Sequence, residues 1–104
     1  MDKREIKAEI KKFKEKIDKK TRVEKLIIFG SFARGRMKKD NDIDLLIVGK
    51  NFRGKKFFER PVGLHKYWKL DYPVDFLCYT PEEFEKESKQ ITIVREAVEE
   101  GIVI

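Results

Sequence analysis

Apolar side chains recur at Ile6, Ile10, Phe13 and Ile17, spaced four, three and four apart, with lysine and glutamate filling most positions between them. That spacing lays one apolar stripe along a helix and predicts an amphipathic helix reaching to about Lys20. Asp2, with Glu5 three residues later, supplies a capping pair for its start. The period then changes. Residues 23–29 end in Leu26-Ile27-Ile28-Phe29 and read as a buried strand. Gly30 supplies a turn, from which Ser31 is predicted to open a short helix through about Arg36. Residues 38–41 are polar and read as a loop, residues 42–48 as a second strand, and residues 49–54 close that strand between two glycines.

Farther along, Phe57, Phe58, Leu64, Tyr67 and Trp68 keep helical spacing over residues 55–70, but Pro61 and Gly63 should interrupt or kink the segment. Pro73 precedes a third strand over residues 74–79. Thr80-Pro81-Glu82-Glu83 is a strong helix start, with a capping threonine, proline at the first helical position and glutamate three after the cap. A last helix is expected over residues 91–100, stopped by Gly101, and residues 102–104 can add a short strand. The predicted fold class is α/β (α+β): a small mixed β-sheet flanked by helices, in a single domain over residues 1–104 with no internal repeat and no linker.

Alternation along the strands decides where the acids point. Asp42, Asp44, Leu46 and Val48 share one face of the second strand, and Asp75, Leu77 and Tyr79 share one face of the third. If those strands are neighbours with their aspartates on the same face, three carboxylates meet near the rim of the sheet. Such a cluster resists joint ionisation unless a divalent cation neutralises it, and magnesium prefers oxygen ligands of this kind. Each signal has a plainer reading when taken alone. Asn41-Asp42 is a common turn pair. Asp75 interrupts an apolar run that reads as a core strand, where an unpaired carboxylate is costly, although a structural pair with a lysine would also explain it. Gly30-Ser31 is a common cap, yet its N–H groups and hydroxyl offer an anion site.

Composition sharpens this picture only in part. The 104 residues are 40% hydrophobic and 42% charged, with a formal net charge of +6. Residues 1–22 and 34–60 each carry a surplus of five positive charges, whereas residues 80–104 carry a surplus of four negative ones. The cationic field thus surrounds the candidate site, where it would draw in polyphosphate. Nucleic-acid binding on charge alone is the weaker reading, because charge runs are usually solvated faces. Cys78, the single cysteine, cannot form an internal disulfide and reads as a buried structural thiol in a reduced, cytoplasmic protein. No apolar stretch approaches the roughly 20 residues of a membrane span. His65, the only histidine, has no ligand-spaced partner and reads as a surface or partly packed residue. Tyr67 and Trp68 could stack on a base but read better as core packing, and Phe32 as a core anchor.

Gly30-Ser31, ten intervening residues, Asp42-Ile43-Asp44, Ala33-Arg34-Gly35 after the serine and Asp75 on a later strand together resemble the nucleotidyltransferase domain of the DNA polymerase beta superfamily. Small size and the ending over residues 95–104 make the chain similar to the minimal nucleotidyltransferases often encoded beside HEPN-domain proteins. Asn41 stands where the family commonly has serine, a change that removes no ligand. The resemblance implies that Asp42, Asp44 and Asp75 bind two Mg²⁺ ions and act in catalysis, Asp75 being also the candidate proton acceptor. It implies that Gly30 and Ser31 hold the β- and γ-phosphates of ATP and that Arg34 steadies the leaving group, with Lys38 and Lys39 as helpers or plain loop residues. It further implies transfer of AMP to a hydroxyl, with a HEPN-type toxin as the partner that is modified and thereby neutralised, in a homo- or hetero-oligomer. A non-catalytic antitoxin or assembly subunit that acts by binding alone is the alternative.

Overall fold

The computed structural model describes residues 2–36 and 41–104. Helix α1 spans Lys3–Thr21, with Asp2 and Glu5 forming the reciprocal capping box expected of them. Its four periodic residues, Ile6, Ile10, Phe13 and Ile17, are all buried. Strands β1 (Val23–Phe29), β2 (Ile43–Gly49), β3 (Val74–Tyr79) and β4 (Ile102–Val103) form one mixed sheet in the order β3-β2-β1-β4. β1 runs antiparallel to both β2 and β4, and β2 runs parallel to β3. Helices α2 (Pro81–Glu87) and α3 (Ile93–Glu100) complete the chain.

Alternation along β1 and β2 divides the core between the two faces of the sheet. Leu26, Ile28, Ile43, Leu45 and Ile47 pack with Phe76 and Cys78 against the stripe of α1. Ile27, Phe29, Leu46 and Val48 pack against Val94 and Ala97 of α3, with Phe84 of α2 alongside. Each fully buried side chain of this size contributes about 1.5–3 kcal/mol by leaving water, so both faces hold the sheet and neither is free to shift register.

The parallel pairing of β2 with β3 requires a crossover, and residues 50–73 provide it without a true helix. Helical spacing there resolves into short 3₁₀ turns at Lys50–Phe52, Phe57–Glu59 and His65–Tyr67, because Pro61 removes an N–H and Gly63 breaks the run. Trp68 and Tyr67 do pack against the core. The Trp68 ring meets Phe13 edge-on at 5.4 Å, and its Nε1 donates to the Tyr72 carbonyl at 2.8 Å. His65 is exposed and lays its ring against Phe76. Phe32 is buried beside α1, as an anchor should be. Arg60, not singled out by the sequence, is the buried cation of the crossover. It pairs with Glu83 at 2.5 Å and donates to the carbonyls of Cys78 and Lys55, tying the crossover to the start of α2.

Two element boundaries differ from expectation. The last helix starts at Ile93, not Ile91, because the Thr92 hydroxyl accepts the Arg95 N–H and caps it there, leaving Ile91 in solvent. The segment after Gly30 is one irregular turn, not a helix. Arg34 N–H bonds four residues back, Gly35 three and Arg36 five, and Gly35 then leaves helical space at φ +71°. Lys38 and Lys39 lie outside the described residues.

Candidate active site

Phe29 ends β1 at the rim where β2 begins, and the cross-strand register places Asp44 beside it. On the other side of β2 the parallel register sets Asp44 directly beside Asp75. These two carboxylates therefore share a face, that of α2 and α3, as their alternation with Leu46, Val48, Leu77 and Tyr79 requires. Asp42 stands just outside the strand, one residue before Ile43, whose N–H donates to the Pro73 carbonyl at 2.8 Å and locks the two strand starts together. The six residues predicted from sequence thus gather around one end of β1 and β2 and the start of β3.

The burdens on the acids differ from expectation. Asp75 lies on the outer strand and is exposed, so it does not bear the desolvation cost expected of it; Asp44, between two strands, carries that cost instead. Burial pushes the Asp44 carboxyl above its ordinary value, the negative charges of Asp75 and then Asp42 push it further, and Arg34 opposes them. Among the described residues, no three carboxylate, imidazole or thiol groups are gathered closely enough to form a ready-made metal cluster. The donor set nevertheless fits a hard divalent cation. It consists of oxygens alone, and a cation between Asp44 and its acidic neighbours would remove the repulsion they impose on it.

Gly30 occupies the left-handed region at φ +72°, and a Cβ added there would collide with the Asp44 carboxylate oxygen Oδ2. Only glycine lets the backbone pass so close to that carboxylate. Beyond it, the N–H groups of Ser31, Phe32 and Ala33 donate to no protein oxygen among the described residues. With the half-buried Ser31 they offer a short run of donors at the mouth of the carboxylate site, suited to anionic oxygens. A helix dipole adds little here, since the segment is one irregular turn.

Arg34 is less free than its motif suggested. Its guanidinium pairs with Glu96 and with Glu100, the latter at 3.1 Å, and both carboxylates raise its already high pKa. Neither glutamate was singled out from the sequence; their spacing of four on one helix was legible, but nothing local pointed to the arginine they face. A cavity of about 150 Å³ near Lys20, Asn51, Phe52 and Arg60 contains none of the predicted site residues. The carboxylates instead lie at the rim of the sheet, where, among the described residues, Asp42 and Asp75 are exposed and Asp44 is half-buried.

Comparison with known proteins fits this geometry. A family model described as a nucleotidyltransferase domain matches residues 10–103. A Methanocaldococcus jannaschii protein named "Putative protein adenylyltransferase" is 32% identical over 100 residues, covering 95% of this chain and 93% of its own. A second protein of that name from the same organism is 31% identical with the same coverage. The crystal structure of a "putative nucleotidyltransferase" from Sulfolobus solfataricus superposes on 92% of this chain and 76% of its own, with a TM-score of 0.63 and 23% identity, a likeness of fold. With nearly its whole length matched, the chain belongs to the nucleotidyltransferase domain family and is an enzyme of that class.

Proposed function

We propose that this enzyme transfers the AMP moiety of ATP to a hydroxyl group on a protein acceptor. The observation that carries the reading is the placement of Asp44 beside Asp75 at a glycine corner that only a residue without a side chain can make. The names of the two archaeal relatives support adenylyl transfer in particular.

In this reading Asp42, Asp44 and Asp75 hold two magnesium ions through their oxygens. When bound, the ions neutralise the triphosphate and acidify the attacking hydroxyl. Asp44 is the residue whose own ionisation most needs a neighbouring cation, which suits it to the position between the other two. Asp75, exposed at the rim, accepts the proton as the acceptor oxygen bonds to the α-phosphorus and the bond to pyrophosphate breaks. Gly30 and Ser31 hold β- and γ-phosphate oxygens, and Arg34 balances the charge that collects on the departing pyrophosphate. The exposure of Asp42 and Asp75 at the rim of the sheet leaves them within reach of a macromolecular acceptor. A HEPN-type partner protein, neutralised by AMP attached to its tyrosine hydroxyl, is the acceptor proposed on the strength of the family resemblance.

Co-expression of the enzyme with that partner, followed by mass spectrometry of the intact partner, tests the reading. A partner heavier by one AMP, and unmodified when Asp42→Asn enzyme is used, is the expected result. A partner that forms a complex yet keeps its mass would contradict transfer and favour a subunit that acts by binding alone.

A further inference from the structure

Arg34 stands on a turn whose backbone bonds, among the described residues, are all internal to it, yet its guanidinium reaches α3. Nε and Nη2 donate to Glu100 Oε2 at 3.4 and 3.1 Å, and Nη2 also pairs with Glu96. Nη1 donates to nothing among the described residues. Glu96 and Glu100 lie one helical turn apart on α3, a helix fixed to the sheet through Val94 and Ala97. Two carboxylates on a fixed helix thus grip one edge of a guanidinium carried by a turn whose own anchor, Phe32, is buried beside α1.

We infer that Glu96 and Glu100 are positioning residues of the nucleotide site, which hold Arg34 by its Nε–Nη2 edge so that its remaining donors meet the phosphates. The inference rests on the reading of Gly30, Ser31 and Arg34 as the phosphate cradle. Arg34 lies on the same turn as Gly30, to whose carbonyl its N–H donates at 3.1 Å, and Gly30 abuts the Asp44 carboxylate, so a phosphate held at that corner is within its field. The two glutamates use a single edge of the fork, so a phosphate oxygen can be taken without breaking either pair. An arginine already fixed loses less rotamer freedom on meeting its ligand. The opposing effect is the negative charge that the glutamates bring near a polyphosphate. Their side chains are 46% and 51% exposed, however, and solvent and salt weaken repulsion at that exposure far more than they weaken a fixed orientation.

The test compares wild-type enzyme with Glu96→Gln/Glu100→Gln, Arg34→Ala, and the two combined, each checked for an unchanged melting profile. ATP binding in the presence of magnesium is measured by isothermal titration, and the Arg34 Nε–H is followed by NMR hydrogen exchange. The glutamine pair should speed exchange at Arg34 Nε–H and weaken ATP binding about fivefold, and Arg34→Ala should weaken it about tenfold. Added to Arg34→Ala, the glutamine pair should change affinity less than about twofold, because it acts through the missing guanidinium. Arg34→Lys, which keeps the charge without the fork, should resemble the glutamine pair. Unchanged exchange, unchanged or tighter ATP binding by the glutamine pair, or an equal loss in the Arg34→Ala background would each overturn the positioning role. Absence of ATP binding by the wild-type enzyme would overturn the cradle reading and the positioning role with it.

Discussion

Asp44 bears the strongest electrostatic load of the site, placed between strands and flanked by two other acids. Its ionised form is disfavoured by burial first and by Asp75 and Asp42 next. A carboxylate so placed opposes folding at neutral pH in the absence of cations, which is the usual cost of a site built for binding. Asp44→Asn should therefore raise the melting temperature of the metal-free protein by about 2–4 °C, and calorimetry in EDTA would read it. Glu83 carries the opposite sign. Its hydrogen bonds from Arg60 hold it below its ordinary pKa of 4.5 against partial burial, and the Thr80 N–H assists. A depressed folded pKa gives stability that is present above the unfolded value and is lost as pH falls through the folded one. Glu83→Gln should thus be less stable than wild type at pH 7, and the gap should shrink as denaturation curves are repeated below about pH 4.5. A gap that stayed constant down to pH 3 would mean that the Arg60–Glu83 pair contributes nothing through charge.

Local pattern made most of the elements readable because local physics decides them. Four residues at helical spacing fixed α1, and Thr80-Pro81-Glu82-Glu83 announced α2 by the capping box that the structure contains. Alternation fixed which residues of β2 share the face of Asp44 and which of β3 share that of Asp75, but parity within one strand is all it can fix. Whether β3 lies beside β2 depends on the path of residues 50–73, where Pro61 and Gly63 defeat helical spacing and a buried arginine, Arg60, does the anchoring. Asp75 was misjudged for the same reason: an apolar run does not say whether its strand is central or outer, and β3 is outer. Arg34, Glu96 and Glu100 come from segments more than sixty residues apart, so no local signal joined them. Cys78 belongs to the legible part. It is buried in β3, and its thiol is pushed up to about 12 by burial, with Arg60 opposing. Native protein at pH 8 should resist a thiol reagent over hours and react promptly in denaturant. Equal rates in the two states would mean that β3 opens readily.

At the scale of the molecule, α1 and the crossover cover one face of the sheet, and α2 and α3 cover the other. What neither layer covers is the rim where β1 ends and β2 and β3 begin, and there the acids, the glycine corner and Arg34 collect. The family match spans residues 10–103, so the whole layered arrangement, and not one motif, is what this chain has in common with nucleotidyltransferases. Among the described residues no helix is long and apolar enough to cross a membrane. The cationic surplus expected around the site is, among the described residues, not gathered there: α1 packs on the opposite face of the sheet, and residues 50–60 follow the far end of β2, where Arg53 and Arg60 pair with Glu82 and Glu83. The most direct measurement is transfer of label from α-³²P ATP to the co-purified acceptor by wild-type and Asp44→Asn enzymes of equal thermal stability or better. Loss of transfer by at least about a thousandfold in the variant is the expected result for a group at the centre of phosphoryl-transfer electrostatics. Transfer at the wild-type rate by Asp44→Asn would contradict the assignment of this carboxylate cluster as the site of chemistry.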